Sequence, residues 1–265
     1  MKVVIINDTT GPHFGCQLVM ETYQEQLNRV GIEIMGTIPR AVQSLNEYPD
    51  MIKKADLLIV NGEGSIHHGR RMELIELAKD YPAILINCVY QDNPLRESIR
   101  YFKYISTRET ESANALKAHG IEAEIIPDIM LTSKRINHFK RAKPTKTLGL
   151  TDSILDLNSG FSAKVGLGQI DLYLQTLAQY QTLCIGRYHG ILAAAILKIP
   201  FSAWASNTHK NYGIMKDMGI KNLYAEKQAD AIKLVPNDFD EKITRYVEDA
   251  KIKIDSLFEK IHQFI

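Results

Sequence analysis

Short apolar runs alternate with longer amphipathic segments through the first half of this 265-residue chain. Runs that predict buried strands occupy residues 3–7, 32–38, 56–60, 83–89, 104–107 and 124–126. Helical spacing covers residues 15–30 before Gly31, a segment ending at Lys79, and residues 109–119 before Gly120. This alternation predicts a parallel sheet with helices on both faces.

The pattern changes at residues 134–146, KRINHFKRAKPTK, a basic stretch without a clear strand that we interpret as a linker. The alternation then resumes, with strands predicted at 147–151, 182–185 and 201–205 and helices at 169–179 and from Arg187. We predict two Rossmann-like domains, residues 1–133 and 147–237, whose parallel sheets face each other across a cleft. A long amphipathic helix within 238–265 is predicted to close the chain.

Composition narrows the class of protein. The 32 basic and 31 acidic residues nearly cancel, so no overall field favours nucleic acid as a partner. Cys16, Cys88 and Cys184 are an odd number without metal-like spacing, which is typical of reduced thiols in a cytosolic protein. The start, MKVVIIND, is interpreted as a first strand and not a signal peptide. No stretch approaches the ~20 apolar residues of a membrane helix, so we expect a cytoplasmic protein that could still visit a membrane surface.

The most informative stretch is residues 184–210, CIGRYHGILAAAILKIPFSAWASNTHK. A short strand runs into a glycine turn, and Arg187 and His189 follow where a helix begins. Backbone N–H groups and the positive dipole end of such a helix attract anions. Arg187 adds a bidentate fork and His189 a proton carrier, which predicts a phosphate or carboxylate pocket with acid–base chemistry. The alternative is a structural ion pair and a core histidine.

Two earlier loops follow predicted strands and carry glycines. Residues 7–15 include Asn7 and His13, which offer hydrogen bonds, and Gly15, which allows close approach of a ligand. A polar turn with a helix cap is the alternative, and the loop is not a dinucleotide fingerprint. Residues 61–71 hold Glu63 between two glycines, where it could act as a base or bind sugar hydroxyls.

Four other features have simpler interpretations. His67 and His68 are adjacent in a loop, which disfavours one shared metal ion and favours solvated loop polarity. Arg108, before Glu109, could bind a ligand or form a charge pair at a helix start. Asp128 after Pro127 is interpreted as a turn or cap, and residues 238–240, DFD, as a helix cap. No metal site is predicted.

Taken in order, these motifs resemble those of the polysaccharide pyruvyl transferases. The matching segments span residues 2–220 and are 7–15, 61–64, 108–109, 127–128, 187–190, 193–195, 198–200 and Lys210. The chain departs from the family pattern in its first loop, where the usual Gly-Asp is replaced, and at Gly62-Glu63-Gly64, where Gly-Gly-Gly is usual. Both departures lie on the acceptor side.

The resemblance implies a GT-B-like fold with an N-terminal acceptor side and a C-terminal donor side. It implies phosphoenolpyruvate as co-substrate, no cofactor, and a sugar or lipid-linked glycan acceptor in surface-polysaccharide synthesis. His189 would be the catalytic acid, and Glu63 the acceptor-side base or hydroxyl ligand. The implied donor-binding residues are Arg187, Gly190, Lys210 and Arg108. The implied acceptor-side residues are Asn7, His13, Gly15, Asn61, Gly62 and Gly64.

Two other functions remain open on the same residues. A glycosyltransferase would use Arg187 and Lys210 to hold the diphosphate of a nucleotide sugar, because fold alone does not separate these reactions. A sugar-phosphate-binding protein of an assembly complex would use them without catalysis. Expected partners are a carbohydrate acceptor and no nucleic acid, with peripheral contact at the inner membrane and a homo-oligomer both open.

Overall fold

A computed structural model describes residues 1–11, 13–39, 47–160 and 169–265. The chain forms two compact units whose segments interleave along the sequence. The first unit comprises Met1–Thr10, Met20–Ile129 and Ile252–Ile265, and the second comprises Gly11–Val19 and Met130–Lys251. The domain bounds 1–133 and 147–237 stay a prediction, because a compact unit need not be a domain that folds by itself.

The first unit is built on a six-stranded sheet in which every pairing is parallel. Its strands are β1 (Lys2–Asp8), β2 (Glu33–Pro39), β3 (Leu57–Asn61), β5 (Ala83–Cys88), β7 (Tyr104–Thr107) and β8 (Glu124–Ile125). The order is β2-β1-β3-β5-β7-β8, so the chain reverses direction across the sheet between β1 and β3. β3 and β5 are buried along their whole length, which explains their unbroken apolar runs.

Helices of the first unit cover this sheet. They are α2 (Pro49–Lys54), α3 (Glu73–Glu76) and α4 (Thr110–Lys117), with the later parts of α1 (Phe14–Arg29) and α10 (Glu241–Lys260). A small sheet pairs β4 (Ile66–His67) with β6 (Tyr90–Gln91). The end of the closing helix packs on α1, where the Tyr23 and Phe258 rings lie 6.2 Å apart and Arg29 pairs with Asp255 and Glu259.

The second unit has a four-stranded parallel sheet in the order β12-β11-β10-β9. Its strands are β9 (Lys146–Leu150), β10 (Tyr180–Ile185), β11 (Phe201–Trp204) and β12 (Tyr224–Ala225). Its helices include α5 (Lys134–Asn137), α6 (Ile170–Ala178), α7 (Tyr188–Ile196), α8 (Lys210–Asp217) and α9 (Gln228–Lys233). α7 is buried on all sides from Tyr188 to Ala195, as its alanine- and isoleucine-rich composition predicts.

The prediction of an α/β fold with two Rossmann-like parallel sheets is confirmed. Residues 134–146, interpreted as a linker, instead belong to the second unit and contain α5. Arg135 makes a 2.9 Å ion pair with Asp171, and Arg141 donates to Tyr180 O over 2.6 Å. Among the described residues no helix is long and apolar enough to cross a membrane.

Candidate functional site

Arg187 stands at the start of the buried helix of the second unit and is held there by an ion pair. β10 ends at Ile185, Gly186 makes the turn, and Arg187 is the last residue before α7. Its Nη2 lies 2.7 Å from Oδ2 of Asp152, and its Nε donates to Oδ1 over 3.2 Å. Asp152 is fully buried, whereas the Arg187 side chain keeps 11% of its surface exposed. The guanidinium is therefore fixed by two bonds and still reaches solvent.

His189 lies in the first turn of α7 and is buried against the backbone of Gly15. A Cβ added to Gly15 would lie 2.2 Å from Cγ of His189, so only glycine permits this approach. The His13 ring is also close, with its centroid 5.6 Å from that of His189. The structure thus brings together two predicted acceptor-side residues, His13 and Gly15, with two predicted donor-side residues, Arg187 and His189.

His13 has an electrostatic environment that keeps it uncharged. Burial is the main cause that lowers the pKa of His13 well below its usual value, and positive charge on His189, Arg187 and Lys210 lowers it further. The backbone N–H of Gly15 donates to Nδ1 of His13 over 3.2 Å. A neutral imidazole can accept one hydrogen bond and donate another, which suits it to contact either a hydroxyl group or a metal ion.

α8 begins at Lys210 and holds the turn after β10 in place. Nδ2 of Asn211 donates to Gly186 O over 3.0 Å and to Trp204 O over 2.8 Å. Nζ of Lys210 bonds Oδ1 of Asn207, and Lys210 is 9% exposed. Sequence reasoning selected Lys210 but missed α8 and Asn211, because the only local signal was a run of polar residues after β11.

Gly190 follows His189 and allows α7 to pack closely on its own sheet. A Cβ at Gly190 would lie 3.0 Å from Cγ2 of Ile185 and 3.1 Å from Oη of Tyr173. Packing therefore accounts for a glycine here. The donor-binding role of Gly190 stays a prediction, as do the roles predicted for the other site residues.

In the first unit, Asn7 joins the loops that follow β1 and β3. Asn7 has a left-handed backbone with φ of 66°. Its Nδ2 donates to Asn61 O over 2.5 Å and to Oγ of Ser65 over 3.0 Å, and Asn61 Nδ2 donates back to Asn7 O over 3.3 Å. These bonds fix the position of both loops at the carboxyl edge of the sheet, where α/β proteins bind ligands.

Glu63 is buried at the centre of the glycine loop. Its Oε2 accepts a 2.5 Å hydrogen bond from Oγ1 of Thr9, a residue that sequence reasoning missed. Gly62 must be small, since a Cβ there would lie 2.6 Å from Cβ of Cys88, and Gly64 has φ of +50°. The carboxylate is held in one place by its loop, as a base or a hydroxyl ligand requires.

Arg108 and Asp128 form a buried ion pair at the ends of β7 and β8. Nη1 of Arg108 lies 2.7 Å from Oδ2 of Asp128, and the two side chains are 1% and 0% exposed. The interpretation of Asp128 as only a turn or cap is therefore wrong, because its buried carboxylate pairs with Arg108. Glu109 caps α4 by accepting from Ser112 N over 3.0 Å.

The charges of Glu63 and Asp128 both act on the hydroxyl of Tyr23 in the first unit. Burial raises the pKa of Tyr23 well above its usual value, and the negative charges of Glu63 and Asp128 raise it further. Its Oη lies 3.4 Å from Oδ1 of Asn61. Tyr23 stays protonated and can donate a hydrogen bond at the edge that carries the predicted acceptor-side residues.

The structure contradicts the interpretation of His67 and confirms that of residues 238–240. His67 is buried on β4, which pairs with β6, so the prediction of solvated loop polarity is wrong for it. Its Nδ1 lies 2.8 Å from Nδ1 of His68, and His68 contacts Asp92. The cap at the last helix is confirmed, since Oδ1 of Asp240 accepts from Lys242 N over 2.8 Å.

Substituting Gly15 with alanine is expected to destabilise the second unit by about 1–3 kcal/mol, because the new methyl group would overlap the imidazole of buried His189. Hydrogen exchange at the amides of α7, which belongs to the second unit, measures the loss. Gln24→Ala is the control, since Gln24 is an exposed position of the same helix and alanine there changes only helix propensity. Equal or greater stability of Gly15→Ala would contradict the packing described here.

A comparison with solved structures finds proteins of the same fold. Among solved structures, a functionally uncharacterised protein from Klebsiella pneumoniae matches with a TM-score of 0.59 and 14% identity, over 85% of this chain and 93% of that one. This likeness shows the fold.

Two glycosyltransferase structures match more weakly. An alpha-glucosyltransferase in complex with UDP and DNA has a TM-score of 0.49 and 11% identity over 100% of this chain and 94% of that one. Spinosyn rhamnosyltransferase has a TM-score of 0.46 and 10% identity over 100% of this chain and 99% of that one.

No curated protein matches the sequence. The family model for polysaccharide pyruvyl transferase matches residues 13–207, which include Arg187 and His189. This chain belongs to the polysaccharide pyruvyl transferase family.

Proposed function

We propose that this protein transfers a pyruvyl group from phosphoenolpyruvate to a sugar hydroxyl pair, forming a ketal during surface-polysaccharide synthesis. The observation that carries the proposal is the Arg187–Asp152 pair at the start of α7, with His189 in the first turn of the same helix. Membership of the family supports the same reaction class.

Arg187 is the proposed contact for the donor anion. Two of its nitrogens, Nε and Nη2, face Asp152, so Nη1 is the nitrogen that an incoming carboxylate or phosphate would meet. The first backbone N–H groups of α7 add donors to the same anion. Lys210 supplies a second positive charge in the same unit, where it would neutralise the departing phosphate.

His189 is the proposed acid for the first step of the reaction. Its proton goes to the methylene carbon of phosphoenolpyruvate, which becomes the methyl group of the product. One sugar hydroxyl bonds to the central carbon and loses its proton, and a second hydroxyl then bonds as the carbon–oxygen bond to phosphate breaks. Phosphate leaves with that electron pair and takes up the second hydroxyl proton, so the reaction needs no oxidant, cofactor or metal.

Glu63 is the proposed acceptor-side group in the first unit. Its carboxylate could accept a hydroxyl proton or hold the hydroxyl by a hydrogen bond, with Thr9 fixing its orientation. Asn7 and Asn61 set the shape of the loops around it through their mutual hydrogen bonds. We assign the carbohydrate or lipid-linked glycan acceptor to this edge.

Donor choice tests the proposal directly. Calorimetry of the whole chain should show binding of phosphoenolpyruvate, and incubation with a 1,2- or 1,3-diol sugar acceptor panel should release phosphate and produce a ketal methyl signal in NMR. Arg187→Met should weaken donor binding by roughly 1.5–3 kcal/mol, the cost of a lost hydrogen bond between charged groups. Arg135→Met is the control, since Arg135 forms a comparable but exposed pair with Asp171. Binding of nucleotide sugars without phosphoenolpyruvate would identify a glycosyltransferase instead.

We also propose that the basic segment 134–146 contacts an anionic membrane surface. Lys140 and Lys143 are exposed, whereas Arg141 is bound to the backbone of Tyr180 and Lys198. Each exposed lysine near an anionic surface contributes roughly 1 kcal/mol. Lys140→Gln with Lys143→Gln should therefore reduce co-sedimentation with phosphatidylglycerol vesicles at low salt, while Lys233→Gln, in an exposed local pair, should not. Equal sedimentation of all variants would exclude this role for the segment.

A further inference from the structure

His13, Cys16 and His189 converge in the second unit. His13 precedes α1, Cys16 lies three residues later in its first turn, and His189 lies in the first turn of α7. One potential ligand atom from each residue lies within 4.8 Å of the other two. Gly15 makes this convergence possible, because its bare backbone brings the start of α1 against the imidazole of His189.

The three side chains match the preferences of a borderline divalent ion. Two imidazole nitrogens and one thiolate are ligands that Zn²⁺ accepts in tetrahedral sites, whereas Ca²⁺ and Mg²⁺ prefer oxygen. Zinc bonds of ~2.0–2.3 Å place ligand atoms roughly 3.3–3.8 Å apart. The separation of up to 4.8 Å therefore closes by small side-chain rotations. Three protein ligands leave a fourth position for water or an anion, as in open zinc sites.

One hydrogen bond and the positive charge near the site oppose the binding of a metal ion and weaken it. The hydrogen bond from Gly15 N to Nδ1 of His13 breaks if the His13 ring turns toward the metal ion. At 3.2 Å this bond is at the long end of the range for hydrogen bonds, so its loss costs little. Arg187 and Lys210 place positive charge near His13. The thiolate of Cys16 offsets one positive charge of the ion. Because the hydrogen bond is lost and the nearby cations remain, we expect weaker binding than in a closed structural zinc site.

We infer that His13, Cys16 and His189 bind one Zn²⁺ ion, and that the bound ion inhibits the protein. Binding releases the thiol proton of Cys16 to solvent as the sulfur–zinc bond forms. The ion occupies the lone pair of His189 that carries the proton in the transfer reaction. This inhibitory consequence rests on the proposed function, whereas the binding site does not.

Metal binding is tested on the full chain after removal of metals. Zn²⁺ is titrated in competition with a chromophoric chelator, and we expect one ion per chain. Co²⁺ is then used as a probe, because a thiolate ligand gives an ultraviolet charge-transfer band that imidazole alone does not. Cys16→Ser should abolish the band and reduce Zn²⁺ affinity at least tenfold, and Cys16→Ala should behave alike if it folds. His138→Ala, which removes an exposed histidine, should change neither.

The outcomes separate the site from the function. No Zn²⁺ binding, an absent Co²⁺ band, or equal affinity in Cys16→Ser would overturn the site, and loss of binding in His138→Ala would identify adventitious surface binding. If transfer from phosphoenolpyruvate is observed, Zn²⁺ should inhibit the wild type and spare Cys16→Ser. A requirement for Zn²⁺ would overturn the inhibitory role. Zinc binding without any transfer activity would contradict the proposed function and leave the site intact.

Discussion

Replacing His189 with glutamine is expected to lower turnover by about 10²–10⁴-fold while the donor still binds, because general acid catalysis contributes on that order. His189 is buried against Gly15 and lies in the first turn of α7, two residues after Arg187. Its imidazole is therefore held in one place. Glutamine keeps a hydrogen-bonding side chain of similar reach, but its amide cannot deliver a proton at neutral pH. The turnover number is measured from phosphate release with saturating phosphoenolpyruvate and acceptor.

His209→Gln provides the matched control for this substitution. His209 occupies the N-cap position of α8 in the same unit, without a capping hydrogen bond from its side chain. It has no predicted role in catalysis, so its variant should keep wild-type turnover. Calorimetry with phosphoenolpyruvate should give a similar affinity for His189→Gln and the wild type. Wild-type turnover in His189→Gln would show that the imidazole is structural. Loss of donor binding together with turnover would instead make it a binding residue.

Much of the fold is predictable from local patterns. β1, β3 and α7 were predicted because each carries its signal within one short segment: an unbroken apolar run or a buried alanine-rich face. α8, α9 and β12 were missed because they are short and their polar residues resemble those of loops. The basic composition of 134–146 suggested a linker, yet Arg135 and Arg141 bond to residues far along the chain.

The candidate site was predicted only in part, for a related reason. Arg187 and His189 were found because a strand, a glycine turn and a helix start are adjacent in sequence. Asp152 and Thr9, which hold Arg187 and Glu63, lie 35 and 54 residues from their partners. Only tertiary packing brings such pairs together. Their sole signal was a position just after a strand, which many ordinary turn residues share.

Arg108→Met is expected to destabilise the first unit by about 3–5 kcal/mol, because it removes the positive charge that pairs with the fully buried carboxylate of Asp128. A chain with two compact units need not unfold in one step, and a single unfolding midpoint would then mix them. Hydrogen exchange at the amides of β7 and β8 reports on the first unit alone. The control pair is Arg135 and Asp171, whose substitution should cost no more than about 1 kcal/mol since both side chains are exposed.

The double variant Arg108→Met, Asp128→Leu separates a structural role of Arg108 from its predicted donor contact. Removing both charges eliminates the buried carboxylate along with its cation, so protection of β7 and β8 should recover most of the loss. Failure to recover would show that Arg108 stabilises the fold through groups other than Asp128. If stability recovers and phosphoenolpyruvate still binds as in the wild type, Arg108 is structural. If stability recovers while donor affinity falls, Arg108 also contacts the donor, since only loss of the guanidinium from a folded unit would explain that combination.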